Sequence, residues 1–194
     1  RKGGNVSPIP ADHSQNLTGI WPKKVVNYKT VMSDAASGFT SVTYPFPVIR
    51  MADLYLMYAE ALNEKGEDYA TVLPWIDMVR ERSGLQGVKE SWDQYVGNSK
   101  YATQTGLRQI IMQERRIELA FEGHYFWDVR RWKTATTELT QPLTGWKVRY
   151  GETDVDYYSE NLVLVRDFTP KMYFWPIDIG ELRKDPNLVQ NYGW

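Results

Sequence analysis

The sequence contains no cysteine among its 194 residues. Disulfide scaffolds and cysteine-ligated metal sites are therefore excluded. Histidine is also scarce, since only His13 and His124 occur, and two such isolated residues do not provide the ligand spacing of a metal site. We therefore expect no bound metal ion.

Long apolar runs and an excess of positive charge are also missing. No stretch approaches the ~18 apolar residues that a membrane-spanning helix requires, and the start at Arg1 has no apolar core of a signal peptide. The net charge is -1, whereas nucleic-acid-binding domains usually carry a basic patch. These absences argue against a membrane-spanning chain and against a nucleic-acid partner.

Catalytic motifs are lacking as well. The chain has no serine–histidine–aspartate order, no glycine-rich phosphate loop and no metalloprotease motif. Glu114, Glu118 and Glu122 recur every four residues, so they lie on one face of a helix, whereas the two carboxylates of a glycosidase flank the scissile bond. We therefore expect neither enzyme activity nor a cofactor.

Aromatic residues, in contrast, are abundant: they make up 14% of the chain, with 8 tryptophans and 13 tyrosines. Many aromatics fill cores, but those in polar loops can stack on the faces of sugars. Two connecting segments, residues 86–101 and 141–158, carry such rings. The candidate ligand-binding residues are Trp92, Tyr95, Tyr101, Tyr157 and Tyr158. The alternative is that each ring tucks beneath its own loop.

Helical patterns dominate from residue 48 onward. A helix apolar on nearly all sides is predicted over residues 48–65 and a second over residues 70–83, which together form a helical hairpin. Gly66 ends the first helix. The core pattern of the hairpin resembles one tetratricopeptide unit. Its residues are Ala61, Leu62, Gly66, Tyr69 and Ala70.

Further helices are predicted over residues 104–121 and 125–132, with helical turns over 134–140 and 178–183. Short strands are predicted over residues 20–28 and 162–165, and loops over 33–41 and 141–158. Residues 1–47 are rich in proline and show little periodicity, so we expect an extended wrapping segment. The predicted fold is mainly α, with a tetratricopeptide-like hairpin, long irregular loops and a few short β-strands.

Residues 114–133 mix charged and apolar side chains too closely for one clean amphipathic stripe. A buried charge without a partner is very costly, so these charges must be paired. We interpret them as a structural ion-pair core. Its expected members are Arg50, Glu60, Glu114, Arg115, Arg116, Glu118 and Asp128.

Five ordered segments together resemble the C-terminal region of the SusD/RagB family, which comprises nutrient-binding lipoproteins of the outer membrane. Each segment is weak evidence alone, but their order and spacing over residues 46–194 are specific. The segments are FPVIRMADLYLMYAEALNEKGE, MVRERSGL, RRIELAFEGHYFWDVRRWK, FTPKMYFWPIDIGEL and DPNLVQNYGW.

The resemblance implies that residues 48–194 form the C-terminal part of an α-α superhelix. It places further repeats and a lipid anchor upstream, outside this chain. It also implies non-catalytic binding of an oligosaccharide at the bacterial cell surface, facing the exterior, and delivery to a SusC-like TonB-dependent transporter. No sugar-contacting residue can be carried over, because the family's glycan contacts come mostly from earlier loops. The alternative is a helical-repeat scaffold that binds a protein or peptide.

Overall fold

The computed structural model describes Thr18, Pro22, Lys24 and residues 26–32, 39–147 and 153–194. The chain divides into two compact units, residues 23–125 and residues 1–22 with 126–194. We call the first the helical unit and the second the C-terminal unit. The fold is mainly helical with short strands, as the sequence predicts. Within the described ranges, no helix is long and apolar enough to cross a membrane.

The helical unit begins with two short strands, β1 (Val31–Met32) and β2 (Phe39–Thr40), which pair antiparallel. The helices α1 (Met51–Lys65) and α2 (Tyr69–Arg82) follow. They form the hairpin that the sequence predicts, with bounds within three residues of those expected for each helix.

The second half of this unit contains short helical turns and one long helix. After α3 (Val88–Ser91) come a π-helical turn (Trp92–Val96) and a 3-10 turn (Lys100–Ala102). They lead into α4 (Gln104–Glu118). The boundary between the two units falls within the next helix, α5 (His124–Arg131).

The turn between α1 and α2 is capped on both sides. Gly66 ends α1 with a φ of 86°, and its N–H donates to the Asn63 carbonyl at 3.0 Å. A glycine adopts this left-handed angle without side-chain strain. Asp68 begins α2 by accepting a hydrogen bond from the Ala70 N–H at 3.2 Å. Local sequence therefore determines where the hairpin turns.

The core of the helical unit lies between α1, α2 and α4. Its most buried apolar side chains recur at helical spacing, so each helix turns an apolar stripe inward. Among these side chains are Leu56, Ala59, Val72, Ile76, Leu107 and Ile111.

A pair of reciprocal hydrogen bonds joins the end of α1 to the start of α4. The buried Asn63 side chain donates to the Gln104 carbonyl at 3.1 Å, and the Gln104 side chain donates to the Asn63 carbonyl at 2.7 Å. Gly106 allows α4 to begin close to the preceding 3-10 turn, because a Cβ there would lie 2.1 Å from the Lys100 carbonyl oxygen. Any larger residue at this position would push the start of α4 away from that turn.

An ion-pair cluster ties the start of α1 to the end of α4. The Arg50 guanidinium donates to Glu118 Oε1 at 2.7 Å and to Glu122 Oε2 and Oε1 at 2.8 and 2.7 Å. Lys24 pairs with Glu122, and Arg82 at the end of α2 pairs with Glu118 at 2.8 Å. Both carboxylates are largely buried, so each has its charge compensated in place.

Two further ion pairs join the C-terminal part of α4 to the other helices. Arg80 of α2 pairs with Glu114, and Arg115 pairs with Asp53 of α1 at 2.9 Å. The Arg115 side chain is only 3% exposed, which makes its partner essential. These contacts join all three long helices of the unit by charge as well as by apolar packing.

The remaining members of the predicted ion-pair core within this unit have other surroundings. The Arg116 guanidinium lies 4.9 Å from the centre of the Tyr125 ring and donates to its hydroxyl at 3.2 Å. Glu60 lies close enough to Arg108 for its charge to act on that guanidinium.

The C-terminal unit is built around a β-hairpin. After α6 (Ala135–Glu138), strand β3 (Leu143–Trp146) pairs antiparallel with β4 (Glu160–Leu164). The connection between the strands contains α7 (Asp154–Tyr157). Within the register, Trp146 lies opposite the first residue of β4.

A 3-10 turn (Pro170–Tyr173) and α8 (Ile179–Lys184) follow the β-hairpin. The irregular C-terminal segment is held against this part of the chain. The Gln190 side chain bonds the Ile177 N–H and carbonyl at 2.8 and 3.0 Å. The Trp194 indole N–H donates to two backbone carbonyls 3.1 Å away.

The charged residues of α5 in this unit also have partners. Asp128, a predicted member of the ion-pair core, is buried and accepts a hydrogen bond from Arg131 Nε at 2.8 Å. Arg130 lies over the Phe168 ring at 5.0 Å and donates to the Met172 carbonyl. Of the seven predicted core residues, six lie in the helical unit and Asp128 lies in the C-terminal unit.

Two predicted loops are wrong. Residues 86–101 contain α3 and two further helical turns, and residues 141–158 contain β3 and α7. Short elements of this kind satisfy backbone hydrogen bonds locally, and their sequences are too short for a visible period. Val88 anchors the first segment because its side chain is fully buried.

The predicted strand at residues 20–28 is also wrong for those of its residues that the structure describes. Its described residues form no strand, and a hydrogen bond of 2.9 Å from the Thr30 N–H to the Asn27 carbonyl closes a turn there. The first strand is β1, which begins after this segment. Its partner β2 lies in the predicted loop at residues 33–41. Residues 33–38 of that loop lie outside the described residues.

Replacing Arg50 with alanine should lower the free energy of unfolding by about 2 kcal/mol, because two largely buried carboxylates lose a charged donor. The control is Arg108→Ala, since the Arg108–Glu64 pair has side chains 38% and 45% exposed. Exposed pairs of this kind contribute less than about 1 kcal/mol. Urea unfolding followed by tryptophan fluorescence measures both, and equal losses would contradict the special role of Arg50.

The pH dependence of the free energy of unfolding should show the contribution of the ionised Glu122 carboxylate. Burial opposes ionisation of this carboxyl, but hydrogen bonds from Arg50 and Lys24 outweigh it and lower its pKa. Its contribution is therefore complete above the ordinary glutamate pKa of about 4.3 and is lost as the pH falls through the lower folded-state value. The stability gap between wild type and Glu122→Gln should shrink as unfolding is measured from pH 6 down to pH 3. A constant gap would show that the carboxylate is not charge-stabilised.

Candidate ligand-binding surface

The five predicted ligand-binding aromatics differ sharply in exposure. Tyr95 is 72% exposed and Tyr158 is 53% exposed, whereas Tyr101 and Tyr157 are each 5% exposed. Trp92 is half-buried against the core of the helical unit. The expectation that all five rings stand exposed on loops is therefore wrong for Tyr101 and Tyr157.

In the helical unit, Tyr101 is an anchor. Its hydroxyl donates to Asp93 Oδ1 at 2.8 Å, and its ring meets the Tyr69 ring edge to face at 5.5 Å. The Lys100 ammonium lies 5.5 Å from the Trp92 ring centre and occupies one side of it. Only Tyr95, on the π-helical turn, offers a largely open ring in this group.

In the C-terminal unit, three aromatic rings form a continuous edge-to-face series. The Trp146 and Tyr158 rings are 5.2 Å apart at 85°, and the Tyr158 and Tyr157 rings are 4.9 Å apart at 83°. The innermost ring, Tyr157, is buried, while Trp146 remains 39% exposed. We call the exposed pair Trp146–Tyr158 the aromatic platform.

Backbone and ion-pair contacts fix the platform in place. The Trp146 N–H donates to the Thr18 carbonyl at 3.1 Å, and the Lys147 N–H donates to the Tyr157 carbonyl at 3.1 Å. The Lys147 ammonium pairs with Asp156 Oδ1 at 2.8 Å. These bonds hold β3 against the segment that carries Tyr157 and its neighbour, so the rings are positioned before any ligand arrives.

Sequence reasoning did not include Trp146 among the ligand-binding residues. The sequence predicts a loop around Trp146, and a strand of four residues such as β3 is too short to show a visible period. Only the register of β3 with β4 brings Trp146 near the tyrosines that follow α7. The aromatic content of residues 141–158 marks this segment as a candidate, but it does not indicate which rings contact each other.

A second set of exposed aromatics lies near the C-terminus. Phe174, Trp175, Tyr192 and Trp194 are 50%, 65%, 80% and 46% exposed. A cation already lies over one ring of this set, since the Lys171 ammonium is 4.3 Å from the Trp194 ring centre. The aromatic platform is better suited to stacking because its two rings support each other.

Metal-dependent binding receives no support from the side chains. Within residues 39–147, 153–194 and the few described positions before them, no three histidine, aspartate or glutamate side chains are grouped so as to hold a metal ion.

Two curated relatives are similar to this chain. SusD-like protein P25 of Formosa agariphila is 39% identical over 144 residues, which are 74% of this chain and 23% of that protein. SusD-like protein P2 of the same organism is 37% identical over 133 residues, which are 68% of this chain and 26% of that protein. The chain thus spans about a quarter of the length of the relatives it matches.

Solved structures show the same fold. BT4246 aligns with a TM-score of 0.68 at 27% identity, covering 81% of this chain and 25% of that one. The SusD-like protein BF3747 from Bacteroides fragilis NCTC 9343 aligns with a TM-score of 0.63 at 30% identity, covering 79% of this chain and 28% of that one.

The model of the SusD family matches residues 4–194, nearly the whole chain. This match agrees with the curated relatives, with the solved structures and with the five ordered segments of the sequence. The chain belongs to the SusD family.

Proposed function

We propose that the whole protein binds an oligosaccharide at the bacterial cell surface, without catalysis, and delivers it to a SusC-like TonB-dependent transporter of the outer membrane. The single observation that supports binding within this chain is the aromatic platform, an exposed ring pair held by buried Tyr157. Family membership supports the uptake role. An N-terminal lipid anchor outside this chain would hold the protein on the membrane, facing the exterior.

The chemistry of the platform suits a sugar. The C–H faces of a pyranose ring are apolar and weakly positive, so a sugar can stack on the exposed face of Trp146 or on that of Tyr158, which lie at 85° to each other. The Lys147–Asp156 ion pair lies beside the rings and is about one-third exposed at each end. It can exchange hydrogen bonds with hydroxyl groups while its charges largely cancel, which favours a neutral oligosaccharide.

The arrangement of the carboxylates fits a binding protein that does no catalysis. Glu114 is paired with Arg80, and Glu118 is paired with Arg50 and Arg82. A carboxylate that a cation holds in its ionised form is a poor general acid. These residues support the helices.

Tyr95 and Trp92 remain predicted ligand-binding residues in the helical unit. Tyr95 is the more suitable of the two because its ring is open, whereas Lys100 covers one side of Trp92. Tyr95 is therefore a candidate contact within the helical unit alone.

A scaffold that binds a protein or peptide is the second candidate function. It is favoured by the α1–α2 hairpin, which has the form of a tetratricopeptide unit, and by the apolar side chains that α1 leaves exposed. Binding of peptides by the full-length protein, with no response to any oligosaccharide, would favour this candidate.

Replacing Trp146 with alanine should weaken oligosaccharide binding by the full-length protein about tenfold, because one stacking face is removed, a loss of ~1.4 kcal/mol. Tyr158→Ala should weaken it less, since Trp146 remains. Isothermal titration against a panel of neutral and charged oligosaccharides measures these effects.

The matched control for this titration is Tyr192→Ala, which removes a ring that is 80% exposed near the C-terminus. Its affinity should equal that of the wild type. If Trp146→Ala binds every oligosaccharide of the panel as the wild type does, the platform is not the binding site.

Affinity purification of the tagged full-length protein from its native outer membrane should recover a TonB-dependent barrel transporter, because delivery requires a lasting contact with that partner. Mass spectrometry of the eluate identifies it. Recovery of soluble proteins alone would argue against the uptake role and for the scaffold.

A further inference from the structure

One carboxylate shares a strand face with the Trp146 ring. The register of the β-hairpin places Glu160 directly opposite Trp146, and Leu162 directly opposite Thr144. Opposite residues of an antiparallel pair turn their side chains to the same face, as do residues two apart in one strand. These four side chains therefore share one face of the hairpin, which we call the platform face.

The second ring of the aromatic platform lies next to the same carboxylate. Tyr158 precedes Glu160 by two residues, and its ring is 5.2 Å from the Trp146 ring. The pairing of the two chain segments continues between them, because the Lys147 N–H donates to the Ser159 carbonyl at 3.2 Å. A sugar stacked on either ring would therefore have Glu160 as a neighbour.

The charge of Glu160 is not compensated by the described part of the chain. Its side chain is exposed at the start of β4, and no described lysine or arginine forms an ion pair with it. The other carboxylate near the platform differs, because Asp156 pairs with Lys147 at 2.8 Å. Glu160 is thus open to a ligand, whereas the charge of Asp156 is already balanced.

The other two members of the platform face carry no charge. Leu162 is 56% exposed, and Thr144 opposite it is also exposed. They provide apolar area and one hydroxyl group beside the rings. The electrostatic character of the platform face is therefore set by Glu160.

An ionised carboxylate beside a stacking ring suits the hydroxyl groups of a sugar. It has two oxygens that only accept hydrogen bonds, so it can receive two neighbouring hydroxyl groups at once. Such charge-assisted bonds are roughly twice as strong as those between neutral groups. Opposite strand residues have Cβ atoms about 4.5–5.5 Å apart, which places the carboxylate at the edge of a sugar stacked on Trp146.

The same charge acts against anionic ligands. A sugar carboxylate or sulfate has no hydrogen to donate to Glu160, and its negative charge would lie beside another negative charge. Like charges brought together in this way are a common means of rejecting a wrong ligand. One residue thus both attracts hydroxyl groups and repels acidic groups.

We propose that Glu160 determines the ligand specificity of the aromatic platform. It accepts hydrogen bonds from the hydroxyl groups of a neutral sugar stacked on Trp146 or Tyr158, and it repels sugars that carry a carboxylate or a sulfate. The ligand class is a neutral oligosaccharide with two free adjacent hydroxyl groups. This inference rests on the proposed function, because it requires that the platform binds a sugar.

Glu160→Gln in the full-length protein tests the inference, since it removes the charge but keeps one oxygen acceptor. The probes are neutral hexose oligosaccharides and the same compounds oxidised at C6 to uronates, measured by isothermal titration. The wild type should bind each neutral compound at least about tenfold more tightly than its uronate. Glu160→Gln should reduce this ratio to below about threefold and weaken binding of the neutral compound about threefold.

Ionic strength provides a second readout that a structural role of Glu160 would not affect. Raising the salt concentration from about 0.02 M to about 0.5 M should lower the ratio of neutral to uronate affinity for the wild type, because salt screens exposed charges. The ratio for Glu160→Gln should change by less than about twofold. A wild-type ratio that does not depend on salt would overturn the inference.

The matched control is Glu181→Gln, which removes a carboxylate of α8 whose side chain is 55% exposed. It should leave both affinities unchanged. Melting temperatures of the two variants should equal that of the wild type, because both positions are exposed. The affinities then report on the ligand contact.

Trp146→Ala in the same titration separates the inference from the proposed function. If this variant weakens binding but Glu160→Gln leaves the ratio of neutral to uronate affinity unchanged, the platform binds a sugar and the role of Glu160 is overturned. If Trp146→Ala changes no affinity, or the wild type binds no compound, the proposed function fails together with the inference. Tighter binding of the uronates by the wild type would also overturn the inference.

Discussion

The helical unit depends on one charged contact, in which the Arg50 guanidinium donates hydrogen bonds to Glu118 and Glu122. Arg50 is the residue before α1, and the two glutamates lie at and just after the end of α4. Elements 68 residues apart in sequence are thereby joined by directional hydrogen bonds, which apolar packing alone does not supply. Such a contact selects one arrangement of the helices, because both carboxylates are largely buried and need a partner. The charged stretch thus supports the packing of the helices, whereas the proposed ligand contacts are exposed aromatic rings.

Much of the fold is predictable from sequence because its main elements are long or locally capped. The α1–α2 hairpin follows from apolar periodicity and from Gly66, whose conformation ends the first helix. The short elements are not predictable in this way. β3, α7 and the π-helical turn have four or five residues each, and their stability comes from tertiary contacts that no local window contains. The partners of the charged residues are not predictable from sequence either, because they depend on how three helices pack together.

The candidate site shows what composition can and cannot indicate. Aromatic enrichment indicates which segments carry candidate rings, but burial decides which of these rings can meet a ligand. Tyr101 and Tyr157 lie in the same segments as Tyr95 and Tyr158, yet their rings are buried while the other two are exposed. Trp146 joins the platform only through strand pairing across a connection of 13 residues between β3 and β4. Register of this kind is a long-range property and leaves no pattern in the sequence.

The proposed function depends on a sugar bound at the Trp146–Tyr158 platform. The most direct test is a crystal structure of the full-length protein with the oligosaccharide that binds most tightly in titration. The account predicts a pyranose ring in contact with the Trp146 indole, with heavy atoms about 4 Å from its face. A sugar bound only elsewhere, with the indole in solvent or covered by another part of the protein, would contradict the account.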